Sequence, residues 1–205
     1  TPRKTPVRAV LSNSFGFGGN NAAVVIGSPA AHGRHTTRTT GSMPVRASAC
    51  MTGAGATDRT LACIKSGEIC AGTLTAGEIA SHLPGRIVRR LKCLPRLVMA
   101  LADEAYRNSG DLEPPTDIFF GTGWGALSET YGFLESLFNT GDRFSSPTDF
   151  IGSVHNAPAG QVAMMFGATG TNVTTTGGDY SFEQALMSAG LLGPVTGRST
   201  LVVGA

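Results

Sequence analysis

The segment Asp117-Ile118-Phe119-Phe120-Gly121-Thr122-Gly123 gives the clearest strand signal in this chain. Its apolar run is short and continuous and it ends in glycines, a pattern typical of a strand that is buried on both faces. The flanking sequence predicts further strands over residues 45–51, 171–176 and 199–203, and helices over residues 59–67, 89–108, 127–138, 146–166 and 180–192. Strands that alternate with helices predict an α/β fold, with a mixed, mostly parallel sheet flanked by helices.

Three local signals refine the helix predictions. Pro95 suits the first turn of a helix, so the helix predicted over residues 89–108 is expected to begin properly there. Pro158 is expected to interrupt the helical pattern of residues 146–166. Thr57 or Asp58 is a candidate cap for the helix that follows.

The composition excludes several classes of protein. Of the 205 residues, 41% are hydrophobic and 15% are charged, which is too apolar for a disordered chain. No apolar run approaches the roughly 18 residues of a membrane-spanning helix, and no signal peptide is visible. The formal charge is +2 and the basic residues are dispersed, so neither a nucleic-acid stripe nor a polybasic membrane patch is expected. We expect a cytoplasmic protein.

The cysteines and histidines do not form a pattern typical of a metal site. None of the four cysteines belongs to a C-x-x-C pair or has a neighbouring histidine; they are Cys50, Cys63, Cys70 and Cys93. Zinc sites need clustered ligands, and isolated thiols in helical patterns usually behave as small buried hydrophobic groups. We therefore expect four structural cysteines, no metal and no cofactor.

The first part of the chain has a different organisation. Residues 7–12 and 22–26 read as strands joined by a glycine-rich connection, which predicts a hairpin. Residues 28–44 are rich in Ser, Thr, Gly, Pro, Arg and His without apolar periodicity, which indicates a linker. The chain starts without Met and stops on an apolar run, so both termini are expected to be cuts through a longer polypeptide.

Two glycine motifs leave alternatives open. Residues 121–125, GTGWG, follow a strand but lack the G-x-G-x-x-G spacing of dinucleotide-binding loops, so a nucleotide-binding α/β domain stays a minor alternative. Residues 13–19, NSFGFGG, place two aromatic residues around a glycine. Such a loop either brings backbone N–H groups close to a ligand or forms a hairpin with a buried phenylalanine.

Residues 12–22, SNSFGFGGNNA, closely resemble the C-terminal signature of β-ketoacyl-[acyl-carrier-protein] synthases, which have a thiolase-like fold. That signature usually has threonine at the position of Asn20. Residues 45–205 resemble the N-terminal half of a second ketosynthase-like domain, of the chain-length-factor-like branch. The landmarks are TGAGA at 52–56, FGT at 120–122, SVHNAPAG at 153–160 and GATGTN at 167–172. The resemblance therefore implies the end of one domain in residues 1–27, the linker, and about half of a second domain in residues 45–205.

The resemblance implies a departure at the catalytic position. In active members a nucleophilic cysteine stands at a strand-to-helix corner, where the helix N-terminus stabilises its thiolate. Ungapped alignment from the GATGTN motif places Asp179 there. We expect this carboxylate to cap the following helix; the alternative is an Asp179-dependent malonyl decarboxylase of the same fold. Serine is so common at helix starts that we do not expect Ser181 to be a substitute nucleophile.

The other site residues also follow from the resemblance. His155 precedes the nucleophile strand and is not one of the family's two catalytic histidines, so we expect a buried histidine bonded to backbone and helped by Asn156. Phe15 matches the family's gating phenylalanine, and its loop with Gly16, Phe17 and Gly18 would bind substrate and form the oxyanion hole of the preceding domain.

The implied function is a place in a β-ketoacyl synthase/chain length factor system of fatty acid or polyketide (aryl-polyene-like) biosynthesis. That system condenses an acyl group with malonyl units on acyl carrier protein, by decarboxylation. The expected partners are acyl carrier protein and a ketosynthase-type subunit, paired antiparallel through the strand from Thr171 to Thr176. Because the family's pocket needs both halves of the domain, we expect this acyltransferase-family segment to have little activity alone.

Overall fold

The computed structural model describes residues 9–15, 21–27, 43–89, 91–110, 113–143, 145–193 and 198–205. The chain divides into two compact units, Thr1–Ser42 and Met43–Ala205. Among the described residues, no helix combines the length and the apolar character needed to cross a bilayer. Most of the linker predicted over residues 28–44 lies outside the described residues.

The first unit contains the predicted hairpin. Strand β1 (Ala9–Phe15) pairs antiparallel with β2 (Asn21–Gly27), and Ser12 lies opposite Val24. The prediction of two short strands in this part of the chain is confirmed.

Among the described residues, the second unit is built around a three-stranded parallel sheet. Its strands are β3 (Asp117–Thr122), β4 (Asn172–Thr176) and β5 (Thr200–Gly204), in the order β4-β3-β5. The helices are α1 (Thr57–Ser66), α2 (Ala76–Ile79), α3 (Gly85–Val88), α4 (Cys93–Ser109), α5 (Leu127–Asn139), α6 (Pro147–Ser153), α7 (Ala157–Phe166) and α8 (Ser181–Leu192).

Helices cover both faces of the central strand. Ile118 and Phe120 pack into a cluster with residues of α4 and α7, whereas Phe119 packs into a second cluster with residues of α8. Alternate side chains of a strand point to opposite faces, and all three are fully buried. Every residue of β3 is buried, as the continuous apolar run predicts.

The helix boundaries follow local chemistry. Pro95 stands in the first turn of α4 as predicted, and Gly110 ends that helix in the left-handed conformation at φ 66°. The helical pattern of residues 146–166 is interrupted, as expected, between Ser153 and Ala157, and Pro158 lies in the first turn of α7.

The prediction of a strand over residues 45–51 is wrong. The structure has no strand there, because no neighbouring strand pairs with this segment among the described residues. The Thr57 hydroxyl instead serves the backbone of Cys50, accepting from its N–H at 2.9 Å and donating to its carbonyl at 3.1 Å. Neither Thr57 nor Asp58 is the cap of α1, which begins at Thr57 after Ala56 without a side-chain cap.

A buried carboxylate joins the amino ends of β3 and β4. Asp117 is 3% exposed, and its two oxygens accept hydrogen bonds of 2.7 Å from the Thr116 hydroxyl and from the Thr171 backbone N–H. Burial by itself raises the pKa of this carboxyl, but the hydrogen bonds and the nearby Arg198 charge outweigh it and hold the pKa below its ordinary value.

Candidate functional site

Asp179 lies at a strand-to-helix corner. Strand β4 ends at Thr176, a short 3₁₀ turn spans Gly178–Tyr180, and α8 begins at Ser181. Gly178 adopts φ 63°, a left-handed conformation that glycine takes without steric cost and that lets the chain turn from strand into helix. The acidic residue therefore stands immediately before the N-terminus of α8, at the carboxyl edge of the sheet.

The expected capping role of Asp179 is not seen. Its side chain is exposed and makes no hydrogen bond or ion pair with any described residue, and α8 has no side-chain cap. The reason is that another side chain already satisfies the backbone groups of the corner. The carboxylate is therefore left facing solvent.

Ser181 is the residue that organises this corner. Its hydroxyl accepts from the Gly177 N–H at 3.0 Å and donates to the Gly178 carbonyl at 2.6 Å. Its own carbonyl accepts from the Thr175 hydroxyl at 3.0 Å, and the residue is 4% exposed. In the sequence Ser181 has the pattern of an ordinary helix-start serine, and its position two residues after Asp179 is the only signal of this role.

The glycines after β3 allow close packing against this corner. A side chain on Gly121 would collide with the Ser181 carbonyl, and one on Gly123 would lie 3.3 Å from the Gly178 carbonyl oxygen. These glycines therefore bring β3 and the following loop against the backbone of the Asp179 turn, which accounts for GTGWG by packing.

His155 lies against the same loop. Its Nδ1 accepts a hydrogen bond from the Ala126 N–H at 3.4 Å, and a side chain on Gly125 would collide with the imidazole. The expected backbone hydrogen bond is present, but the expected burial is wrong, because the histidine is exposed. Asn156 precedes α7 and its side chain does not cap that helix.

Two aromatic side chains flank the corner. Trp124, in the loop after β3, is 79% exposed, and Tyr180, next to Asp179, is 71% exposed. Large exposed aromatic side chains are common at surfaces that become buried in complexes. In the loop of residues 123–126, Gly123 packs against the Asp179 turn and Gly125 packs against His155. No hydrogen bond links His155 to Asp179.

The predicted oxyanion loop is not described. Phe15 is the last residue of β1, and Gly16, Phe17 and Gly18 lie outside the described residues. Their proposed roles stay predictions.

The described residues contain no group of three or more His, Cys, Asp or Glu side chains placed to hold a metal ion. All four cysteines are free; Cys93 is exposed and the other three are half-buried. A cavity of about 170 Å³ lies between α4, α5, α6 and α7, and none of the predicted site residues lines it. The chemistry suggested by the sequence is therefore at the sheet edge and not in that cavity.

Comparison with known proteins identifies the fold and the family. The model of the β-ketoacyl synthase N-terminal domain matches residues 72–204. None of the curated proteins compared with the chain matches it.

Two solved structures are similar to the chain. One is a ketosynthase (ApeO) in complex with its chain length factor (ApeC) from Xenorhabdus doucetiae, with 24% identity and a TM-score of 0.54 over 69% of this chain and 57% of the matched chain. The other is the ishigamide ketosynthase/chain length factor, with 20% identity and a TM-score of 0.62 over 74% of this chain and 49% of the matched chain. The chain thus spans about half the length of the proteins that it matches.

These likenesses confirm the predicted thiolase-like α/β fold. The family model covers well over half of the chain, including β3, β4, the Asp179 corner and α8. The chain therefore belongs to the β-ketoacyl synthase family, whose N-terminal domain it contains.

Proposed function

We propose that residues 45–205 are the N-terminal half of a chain-length-factor-like domain that does not carry an acyl group itself. The domain would act in a ketosynthase/chain length factor system of fatty acid or aryl-polyene-like polyketide biosynthesis, on acyl carrier protein thioesters. The condensation would be carried out by a ketosynthase-type domain or subunit that keeps its nucleophilic cysteine.

The observation that carries this proposal is the exposed Asp179 carboxylate at the corner before α8. A thiolate at such a corner attacks a thioester and forms a new thioester of similar energy. Attack by a carboxylate would instead give a mixed anhydride, which water hydrolyses readily. Ser181 does not replace the cysteine, because its hydroxyl is buried and engaged with Gly177 and Gly178.

The sheet offers a strand for the proposed partner. In the described sheet β4 pairs with β3 on one side only, so its other edge has unpaired backbone groups. Such edges are ready to pair with a strand of another chain. We propose that the strand from Thr171 to Thr176 pairs antiparallel with the equivalent strand of a ketosynthase-type subunit.

The first 27 residues fit the end of a preceding ketosynthase domain. The motif of residues 12–22 and the β1–β2 hairpin support this assignment. The loop of Phe15, Gly16, Phe17 and Gly18 would then serve the oxyanion hole and substrate gate of that domain and not the domain that holds Asp179.

Acyl transfer tests the proposal directly. The chain is incubated with acyl- and malonyl-loaded carrier protein, and peptide mass spectrometry locates any acyl group. We expect no acyl group on residues 45–205 in the wild-type chain. A stable acyl adduct at Asp179 or Ser181 would overturn the non-nucleophilic assignment.

Measuring carbon dioxide release distinguishes the proposed function from the alternative of an Asp179-dependent decarboxylase. Wild-type protein and the Asp179→Asn variant are compared with malonyl-loaded carrier protein, with and without an active ketosynthase subunit. We expect no release from either form alone. Release by the wild type that the variant loses would support direct catalysis by Asp179 and reject the proposed role.

A further inference from the structure

Cys63 and Cys70 lie near each other where α1 ends. The helix stops at Ser66, and Gly67 adopts φ 73°, which turns the chain back over the last helical turn. The Glu68 N–H then donates to the Cys63 carbonyl at 2.9 Å. This turn brings the following segment, with Cys70, alongside the helix face that carries Cys63.

Contacts on both sides hold Cys70 in this position. Its sulfur lies 3.8 Å from the Thr60 carbonyl oxygen, one helical turn before Cys63. Further along, Gly72 packs so closely against Gly53 that neither position has room for a side chain. Cys70 is thus placed by the fold between two fixed points, close enough to Cys63 to raise the pKa of that thiol.

We propose that Cys63 and Cys70 form an oxidation site, at which a peroxide converts the two thiols into an intrachain disulfide. One sulfur attacks a peroxide oxygen, which breaks the O–O bond, forms a sulfenic acid and releases water. The second sulfur then attacks the sulfenic sulfur, forming the S–S bond and releasing a second water. Hydrogen peroxide gains two electrons and the two thiols lose them, so the reaction balances as two thiols and one peroxide to one disulfide and two waters.

The environment assigns an order to the two sulfurs. Desolvation, the neighbouring Cys70 and the Glu68 carboxylate raise the pKa of Cys63, whereas Arg59 opposes them. The thiolate is the nucleophile, so the raised pKa slows the attack of Cys63 on a peroxide. In the proposed order Cys70 attacks the peroxide, and Cys63 resolves the sulfenic acid. Both residues are half-buried, which leaves them within reach of a small oxidant.

Trypsin makes the test simple, because it cuts between the two cysteines. Cleavage after Arg59, Lys65 and Arg86 places Cys63 in the peptide 60–65 and Cys70 in the peptide 66–86. The folded 205-residue chain is reduced, treated with one equivalent of hydrogen peroxide, alkylated and digested. We expect the two peptides linked through a bond that dithiothreitol breaks, with the Cys50 and Cys93 peptides alkylated and unlinked.

The controls distinguish a folded site from chance pairing. Cys93→Ser removes the most exposed thiol and should leave the link unchanged. Cys63→Ser should leave a sulfenic acid on Cys70 that dimedone labels, and Cys70→Ser should lose most of that label. In concentrated urea we expect the native link to give way to mixed pairings.

Other results would overturn the proposal. One is that both peptides are recovered fully alkylated under conditions that oxidise Cys93. Another is that links to Cys50 or Cys93 form in a yield comparable to that of the Cys63–Cys70 link. The third is that the links have the same distribution in urea as in buffer.

Discussion

An aspartate lies at each end of the parallel sheet, and the two differ in burial and in hydrogen bonding. At the amino end, Asp117 is 3% exposed and both of its oxygens accept hydrogen bonds that join β3 to the start of β4. At the carboxyl end, Asp179 is exposed and has no bonded partner among the described residues. Two residues of the same type, at opposite ends of two adjacent strands, therefore have different physical roles.

The difference separates a carboxylate that holds the fold together from one that is free to act on something else. Asp117 is already paired within the protein, so ligands and partners have no access to it. At the other end, Ser181 bonds the Asp179 turn without help from the acid. In open α/β sheets, ligands generally bind at the carboxyl ends of the strands, which is where the free aspartate lies.

The largest expected loss of stability comes from disturbing the close packing at the carboxyl end of the sheet. Gly121→Ala would push a methyl group into the Ser181 carbonyl and within 2.8 Å of the Phe182 nitrogen. Because both atoms belong to the backbone at the start of α8, they cannot move aside cheaply. We expect the free energy of unfolding to fall by about 3 kcal/mol, measured by urea denaturation.

Gly132→Ala is the matched control, because nothing lies within 4 Å of the position of its side chain in α5. There the methyl group should stabilise the chain by about 0.5–1 kcal/mol, since alanine favours a helix. Equal losses in both variants would show that the Gly121 packing is not special.

The next effect in size concerns the bonded aspartate. Asp117→Ala removes both acceptors and leaves the Thr171 N–H without its partner between β3 and β4. We expect the free energy of unfolding to fall by about 2 kcal/mol, measured by urea denaturation at neutral pH. An unchanged midpoint would mean that the amino end of the sheet does not depend on this carboxylate.

Acid should remove part of the same stabilisation. The folded pKa of Asp117 is lowered, so its contribution is complete above the unfolded value of about 3.9 and is lost as the pH falls through the folded pKa. Urea midpoints measured from neutral pH into this acidic range should therefore decline more steeply for the wild type than for Asp117→Asn. Parallel curves for the two proteins would contradict the lowered pKa.

Much of the fold is predictable because strand and helix periodicities are local properties. The buried run of β3, the start of α4 near Pro95 and the break before α7 all follow from adjacent residues. The strand expected over residues 45–51 fails because a strand also needs a neighbour, and here a Thr57 hydroxyl bonds the backbone instead. Pairing between distant segments is not visible in the pattern of one segment.

The strand-to-helix position of Asp179 is predictable from the sequence, but the contacts around it are not. Family resemblance located Asp179, and the structure has it at a strand-to-helix corner. The helix cap expected of this acid is absent, and the Ser181 hydroxyl instead bonds the Gly177 N–H and the Gly178 carbonyl in the turn before α8. His155 keeps its backbone bond but is exposed, since burial depends on elements far away in the sequence.

The smallest expected effect tests the exposed aspartate. Asp179→Asn should change the free energy of unfolding by less than about 0.5 kcal/mol, because the carboxylate bonds to no described residue. Ser181→Ala, two positions away, should cost about 1–2 kcal/mol, since it leaves the Gly177 N–H and the Gly178 carbonyl without their bonds. Urea denaturation of both variants gives the comparison. If Asp179→Asn lost as much stability as Asp117→Ala, the fold itself would need the acid, and its proposed availability to a substrate or partner would have no basis.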